Sequence, residues 1–569
     1  MSVKVNSTEH KRAFFIFVFF SLWVLFICFS LVRIQVFNYG KNVSRVQAQS
    51  NRIFTTNPQR GTIYDTNGEI LAISVKAKSA FLSNKNSLHS MAIFNSVKKK
   101  IHLDYSDIKN IKERIRRGDK FIWIKRKLSE EEYQRLKKIK DTNKSTSILD
   151  FVEEYKREYP QNTTACHILG GVGVDEQGLY GIEYSMDSTI MGKGGEASVQ
   201  LDARRKVFKL EYLTEPEPGR DIYLTIDSSI QFFVEKELKQ TVEKYHAKGG
   251  TVIVMDAEDG AILAMAGYPV FQPDRIAETQ PRVIKNKAIS YLYHPGSTFK
   301  VVLASTALEK NICSPQHEFN CYNGVYRVRD QQITDVHPYS RLSFEDIIIH
   351  SSNIGAAKIA ERLGATNYYN GIKKFGFGSH MDIRLPAEEA GIFKPVKRWT
   401  GVSLQFMAHG YEIAVTPLQM ARAFNVIAAD GYLVQPYILK KVQDAFLKQP
   451  AKVQILSPGT VHRMTSIMTE VVNSGTGQNA RIPGIKIAGK TGTSKKIIKN
   501  KNMRKYVPSF GGFFPAGNPR VTLFVVIEEP KGAFYGGDVA APLFKSIAER
   551  LMIYLRIFPE LDKTNEIKI

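Results

Sequence analysis

Cysteine is scarce: four residues among 569, at positions 28, 166, 313 and 321, with no CxxC and no HExxH anywhere. That excludes a disulfide scaffold and a zinc framework, and no metal or other cofactor is expected. Cys313 and Cys321 are near enough in sequence to close a short loop, and two buried free thiols fit as well. Acid is also in deficit, with 55 Asp and Glu against 79 Lys and Arg and a net charge of +24. Only one long apolar run is present, which excludes a polytopic membrane protein. With 43% hydrophobic and 24% charged residues the remainder has a globular composition, and no internal repeat is evident. The length predicts roughly two to four domains.

A basic excess of this size raises nucleic acid or an anionic surface as a partner. Lys98 to Lys144 carries 17 basic residues against 8 acidic ones, and Lys495 to Lys505 carries 6 with no acid. The first stretch mixes signs as solvated helices do. Its aromatics, Phe121, Trp123 and Tyr133, do not follow the stacking ladder of a single-strand groove, so no nucleic-acid partner is expected. The second begins two residues after Thr493 and is expected to attract anionic substrate, an effect that salt weakens.

The apolar run, Ala13 to Val32, holds 20 residues without a charge. At about 1.5 Å rise per residue it spans roughly the hydrocarbon core of a bilayer. Lys4, Lys11 and Arg12 precede it, which predicts a cytoplasmic tail (1–12), a transmembrane anchor (13–33) and everything from about 35 onward on the far side, the periplasm of a bacterium. No small-x-small cleavage site follows Val32, so an uncleaved single pass in the inner membrane is expected rather than a signal peptide.

Residues 45–215 read as irregular α/β, with Gly-rich turns. The turn cluster Pro216-Glu217-Pro218-Gly219 marks a boundary, and residues 220–557 form the second domain. Ser228 or Ser229 caps a helix to about His246, and Thr251–Met255 and Ala261–Ala266 form a hairpin around Glu258-Asp259-Gly260. Segments from about 275 to 480 read as helical. Strands return at Ile485–Ala488, Phe510–Phe514 and Val521–Ile527 before a last helix from about Val539 to Arg556. The pattern predicts an α+β fold: an antiparallel sheet flanked by helices, with a helical subdomain inserted.

Three motifs occur in order. Ser297-Thr298-Phe299-Lys300 follows His294-Pro295-Gly296; Ser351-Ser352-Asn353 comes 54 residues after Ser297, and Lys490-Thr491-Gly492-Thr493 comes 139 after Ser351. SxxK alone is weak, since Ser96/Lys99 and Ser106/Lys109 match it too. Ser351/Asn353 is the only SxN and Lys490 the only KTG, and the three together carry the signal.

The spacing suits acyl transfer through a serine ester. Positions i and i+3 on a helix are neighbours, so Lys300 is expected within hydrogen-bond reach of the Ser297 hydroxyl as its base. A lysine serves as a base only when neutral, which burial and a second cation such as Lys490 favour. Ser351 is expected to carry a proton to the leaving amine and Asn353 to hold a substrate amide. A substrate strand lying along the KTG segment accounts for Gly492. The N–H groups of Ser297 and Thr493 form the expected oxyanion hole, worth roughly 3 kcal/mol per donor. The hydroxyls of Thr491 and Thr493 are suited to a carboxylate.

Gly484 to Thr491 also matches GxxxxGKT, with a Walker B-like run at Phe524 to Glu528. A phosphate-binding loop follows an apolar strand and opens a helix, whereas Arg481-Ile482-Pro483 precedes this one and a basic polar segment follows. A nucleotide site is not expected.

With these motifs in place, the chain resembles the class B penicillin-binding proteins, monofunctional peptidoglycan transpeptidases, and within them the division-specific branch. Arg60-Gly61-Thr62-Ile63-Tyr64-Asp65-Thr66-Asn67-Gly68 is similar to the family's membrane-proximal signature, and His167-Ile168-Leu169-Gly170 with Gly181-Ile182-Glu183 to its pedestal motif. Three other stretches look like the transpeptidase domain: Lys397-Arg398-Trp399, Val415 to Gln419 and Tyr535 to Phe544. The resemblance implies a dimerisation-type pedestal at 45–215, a β-lactamase-like transpeptidase domain at 220–557, and septal crosslinking of D-Ala-D-Ala stem peptides to an acceptor amine. It implies β-lactams as inhibitors, and an FtsW-type glycosyltransferase and other division proteins as partners. Its alternatives are an elongation-specific transpeptidase and a catalytically silent scaffold. The usual Glu-Pro-Gly-Ser is His294-Pro295-Gly296-Ser297 here, the usual Asp-Arg-Asn-Gly has Thr66 for Arg, and Ser-Phe-Gly-Tyr-Gly is Ala408-His409-Gly410-Tyr411-Glu412. These departures lie beside the catalytic groups and bear on β-lactam selectivity.

Overall fold

The computed structural model describes residues 7–40, 51–84, 86–142, 148–201, 207–449, 451–496 and 505–558. Most of the basic stretch 495–505, expected to attract anionic substrate, lies outside them. Two compact units divide the chain, one of residues up to 59 with 192–218, the other of 60–191 with the rest. The expected pedestal, 45–215, is shared between them.

The first unit contains the apolar helix Ser7–Val32, extended by a π-helical turn Arg33–Phe37. Among the described residues this is the one helix long and apolar enough to cross a membrane. A three-stranded antiparallel sheet, Asn51–Thr56, Gly195–Leu201 and Val207–Thr214, belongs to the same unit.

In the second unit, Ile70–Ser83 pairs with Ile63–Tyr64, Phe121–Leu128 and Leu149–Glu158 in a seven-stranded sheet. The helices beside it, Tyr105–Arg117 and Glu130–Thr142, bury only Ile111 and Ile115 in one and Leu136 in the other. Most of the basic stretch is therefore solvated surface, and Trp123 packs edge-on against Phe81 and Phe121. The two signature segments meet in this unit. Arg60 and Arg157 each donate to the buried Glu183 carboxylate at 2.6 Å, and Asp65 Oδ2 accepts from the Ser228 N–H and hydroxyl.

The transpeptidase-like part is built on five strands: β1 (Gly249–Asp256), β2 (Ile262–Tyr268), β3 (Ala488–Lys496), β4 (Lys505–Phe514) and β5 (Val521–Glu528). Their order is β2-β1-β5-β4-β3, antiparallel throughout. Side chains alternate between faces: Val252 and Val254 join one core with Leu238 and Ile547, while Ile253 and Met255 join another with Phe424. Helices α1 (Ser228–Lys244) and α4 (Gly536–Tyr554) supply the first core. The inserted segments, including α2 (Lys300–Glu309) and α3 (Asn353–Leu363), supply the second.

Three local expectations change. Helix α1 is capped by Asp227, whose carboxylate accepts from the Ser229 and Ile230 N–H groups, because Ser228 is engaged by Asp65. Strand β3 starts at Ala488 rather than Ile485, since Ile485 folds back in a bridge with Ile482. It then continues through the polar residues to Lys496, held by pairing with β4. The GKT tripeptide thus lies inside a strand, the wrong place for a phosphate loop. All four cysteines are free, with Cys313 and Cys321 buried.

Candidate active site

Ser297 lies in a tight 3-10 turn, Gly296–Phe299, that leads into α2. Gly296 adopts φ +58°, and a Cβ there would come within 3.2 Å of the Thr493 carbonyl, so the turn sits against β3. The turn is fastened by the Gly296 N–H on the Gly410 carbonyl at 3.2 Å and the Thr298 hydroxyl on the Pro295 carbonyl at 2.8 Å.

Lys300, one turn on, is fully buried. Its ammonium donates to the Ser351 carbonyl at 2.6 Å, Asn353 Oδ1 at 2.9 Å and Ser351 Oγ at 3.3 Å. The expected direct bond to Ser297 is not among them. Three acceptors presented by the Ser351-Ser352-Asn353 segment hold the Lys300 side chain instead. Lys490, on β3 and equally buried, donates to the same Ser351 Oγ at 3.0 Å. Two lysines from distant segments therefore converge on one hydroxyl. Ser351 is presented from a left-handed backbone, φ +62°, uncommon for a residue with a side chain and typical of functional sites.

Burial pushes Lys300 down to about 7, with Asp335 opposing. Lys490 is also pushed down, by burial and by the Lys300 charge. The like-charge effect expected from Lys490 on Lys300 thus falls on Lys490.

Asn353 opens α3 with its side chain engaged at both ends, Oδ1 to Lys300 and Nδ2 to the Thr334 carbonyl at 3.0 Å. It orients the lysine as well as facing the cleft. Thr491 exchanges a 2.7 Å hydrogen bond with Thr476, and the Thr493 hydroxyl accepts from the Gly536 N–H at 2.9 Å, at the start of α4. The reason for Gly492 differs from expectation. A Cβ there would meet Ser509 Oγ at 2.6 Å and Thr298 Cγ2 at 2.8 Å, so packing inside the protein requires the glycine.

Among the described residues β3 is the edge of its sheet, pairing only with β4. Thr493 faces Pro508 in the register, and a proline has no N–H to give, so this is a pair whose backbone groups point away from each other. The Thr493 N–H and carbonyl therefore face outward, toward the turn holding Ser297. By the period of two, Thr491 and Lys495 face outward with it. Around this edge is a cleft of about 470 Å³, lined by Ser297, Ser351, Asn353, Thr491 and Thr493 together with aromatic side chains.

Asp335 was not singled out by the sequence. Its carboxylate accepts from the Ser352 hydroxyl and the Asn353 N–H at 2.5 Å each and from the Ile354 N–H at 3.1 Å. It caps α3 and stations a negative charge near Lys300. A lone aspartate 16 residues before Ser351 carries no motif signal. His409 is the other addition, a buried ring on the cleft wall. Of the basic stretch after Thr493, Lys496 and Lys505 pair with Glu529, at 2.9 and 2.5 Å. These two tie strand ends together.

The penicillin binding protein transpeptidase domain matches residues 250–549, and the penicillin-binding protein dimerisation domain matches residues 55–224. The chain is 31% identical to the probable peptidoglycan D,D-transpeptidase PenA of Neisseria gonorrhoeae, over 98% of this chain and 95% of that protein. It is 29% identical to the peptidoglycan D,D-transpeptidase FtsI of Escherichia coli K12, over 94% and 90% respectively. Penicillin binding protein 3 of Mycobacterium tuberculosis, solved in complex with ampicillin, matches with a TM-score of 0.69 at 25% identity, over 90% of this chain and 98% of that one.

Proposed function

Since this chain belongs to the penicillin-binding protein transpeptidase family, we propose that it is a peptidoglycan D,D-transpeptidase that crosslinks stem peptides through an acyl-serine intermediate. The observation that carries this reading is the convergence of Lys300 and Lys490 on Ser351 Oγ beside Ser297 and an open strand edge.

The steps follow from that arrangement. Ser297 Oγ attacks the penultimate D-Ala carbonyl, and its proton passes to neutral Lys300. The carbonyl oxygen, now negative, takes hydrogen bonds from the Ser297 and Thr493 N–H groups. The C–N bond breaks, and Lys300 passes the Ser297 proton to the leaving D-Ala amine through Ser351, which the two lysines hold in place. The departing carboxylate sits by the hydroxyls of Thr491 and Thr493, and Gly492 keeps the strand flat against the turn of Ser297. An amine from a neighbouring stem then attacks the ester and gives a proton to Lys300, which returns it to the Ser297 oxygen as the ester C–O bond breaks. Asn353 holds both Lys300 and a substrate amide. A β-lactam enters the same path and stops at the ester.

The N-terminal helix anchors the protein in the inner membrane, with the tail (1–12) cytoplasmic and the pedestal (45–215) and transpeptidase domain (220–557) periplasmic. Septal synthesis is the cellular role, with an FtsW-type glycosyltransferase and other division proteins as partners; depletion is expected to give filaments, and round cells would assign it to elongation.

Intact mass spectrometry after exposure to penicillin tests the chemistry. One adduct per chain is expected, absent from Ser297→Ala. An adduct on the alanine variant would remove Ser297 as nucleophile.

A further inference from the structure

The outward edge of β3 does not stay open along its length. Two residues past Thr493, the Lys495 N–H donates to the Tyr411 hydroxyl at 3.1 Å. Tyr411 comes from the segment whose Gly410 carbonyl fastens Gly296, so the cap on the strand is built into the wall facing Ser297.

The two histidines by which this chain departs from the resembled pattern flank the Tyr411 ring. His294 lies 5.7 Å from it, centroid to centroid, and His409 lies 5.4 Å from it at 63°. His294 is fixed by donating from Nδ1 to the Ile413 carbonyl at 2.7 Å. His409 is buried and its Nδ1 has no hydrogen-bond partner among the described residues. Burial and the Lys300 charge push His409 down to about 3, with the Gln405 carbonyl opposing, so it is an uncharged wall. Glu412, next in the segment, adopts φ +57° and accepts from the Ser403 hydroxyl, which holds the segment's far end.

We propose that Tyr411, held between His294 and His409, is a specificity-determining residue that ends the substrate-pairing edge at Lys495. The inference rests on the acyl-serine reading above. The leaving carboxylate lies toward Thr491, so the acyl chain of the donor runs from Thr493 toward Lys495. Its first amide meets the outward groups of Thr493. Its next carbonyl would need the Lys495 N–H, which Tyr411 already occupies, and the donor has to leave the strand there. The site therefore reads a short acyl segment by backbone pairing and releases the rest of the stem, a chain of mixed peptide linkages, from strand geometry.

The test compares acylation rates of two ligands on the full-length protein. Both carry the same penicillin nucleus, one with a short acetamido side chain and one with an extended dipeptide side chain. Tyr411→Phe keeps the ring between the histidines and removes the hydroxyl. The rate ratio, extended over short, is expected to rise about three- to tenfold, the value of one recovered neutral hydrogen bond. Amide exchange of the strand segment containing Lys495 is expected to accelerate in the same variant without ligand. A ratio that stays the same or falls overturns the proposal, as does unchanged exchange. Failure of both ligands to acylate the unmutated protein would instead remove the acyl-serine reading itself.

Discussion

At the scale of single residues, the decisive property is the protonation of Lys300. A base must be neutral to take the Ser297 proton, and burial brings this lysine to about 7. Acylation is expected to rise with pH between 6 and 8, which a pH series of penicillin-labelling rates checks; a flat profile would place the proton elsewhere. The same shift bears on stability. Its folded value lies below the ordinary 10.5, so between about 7 and 10.5 the unfolded chain binds more protons, and stability increases as pH rises through that window. Asp335 opposes the shift. Asp335→Asn is expected to move the labelling midpoint below 7, because the opposing charge is gone. It should also lower the maximal rate by about tenfold or more, since hydrogen bonds to a charged group, each worth about 1.5–3 kcal/mol, hold the Ser352-Asn353 segment. A lower maximum with an unmoved midpoint would make Asp335 structural only. Ser351 and Lys490 are legible because their motifs occur once in the chain, and Ser297 because its commoner motif precedes them in order; Asp335 is not, because its role depends on a fold that returns residue 335 to the start of α3.

At the scale of elements, β3 and the turn Gly296–Phe299 form one unit. Pattern reading found strands near 488 and 510 but ended the first too early. Apolar alternation fades after Ala488, and what extends β3 is hydrogen bonding to β4, which polar side chains do not advertise. Gly492 reports how closely turn and strand approach. Gly492→Ala places a methyl against Ser509 Oγ and Thr298 Cγ2, both buried or packed under the strand. The expected cost is about 1–3 kcal/mol, with loss of acylation as the Thr493 N–H moves from Ser297. Thermal unfolding and penicillin labelling measure the two effects; full labelling would show that turn and strand adjust independently.

At the scale of the whole molecule, the distant ends of the segment 60–191 are tied together by a buried ionic junction. Arg60 and Arg157 converge on Glu183, which is fully buried, and Arg60 also reaches Asp187 at 2.6 Å. Removing one partner leaves buried charge unpaired. Glu183→Ala is expected to destabilise the detergent-solubilised protein by about 3–5 kcal/mol. A change below about 1 kcal/mol in denaturant unfolding would mean that the junction is replaceable by packing. The +24 charge also resolves at this scale. The stretch Lys98 to Lys144, with 17 basic and 8 acidic residues, supplies part of it from a largely solvated surface, while Lys496 and Lys505 share Glu529.

By itself the sequence determined the anchor-like helix, the α+β class, the order of strands and helices around the motifs, and the three motifs that the fold brings to one cleft. Each depends on local periodicity, on an uninterrupted apolar run or on motif rarity, which a one-dimensional pattern contains. Only the tertiary structure decided that Lys300 is held by Ser351 and Asn353 rather than by Ser297, that Gly492 is needed for packing, that Asp335 caps the second motif and that Tyr411 closes the edge of β3. Those are contacts between segments far apart in the chain, as Thr298 is from Gly492. Their geometry is set by which faces the cores bury, a choice the chain makes only when the whole sheet and its helices come together.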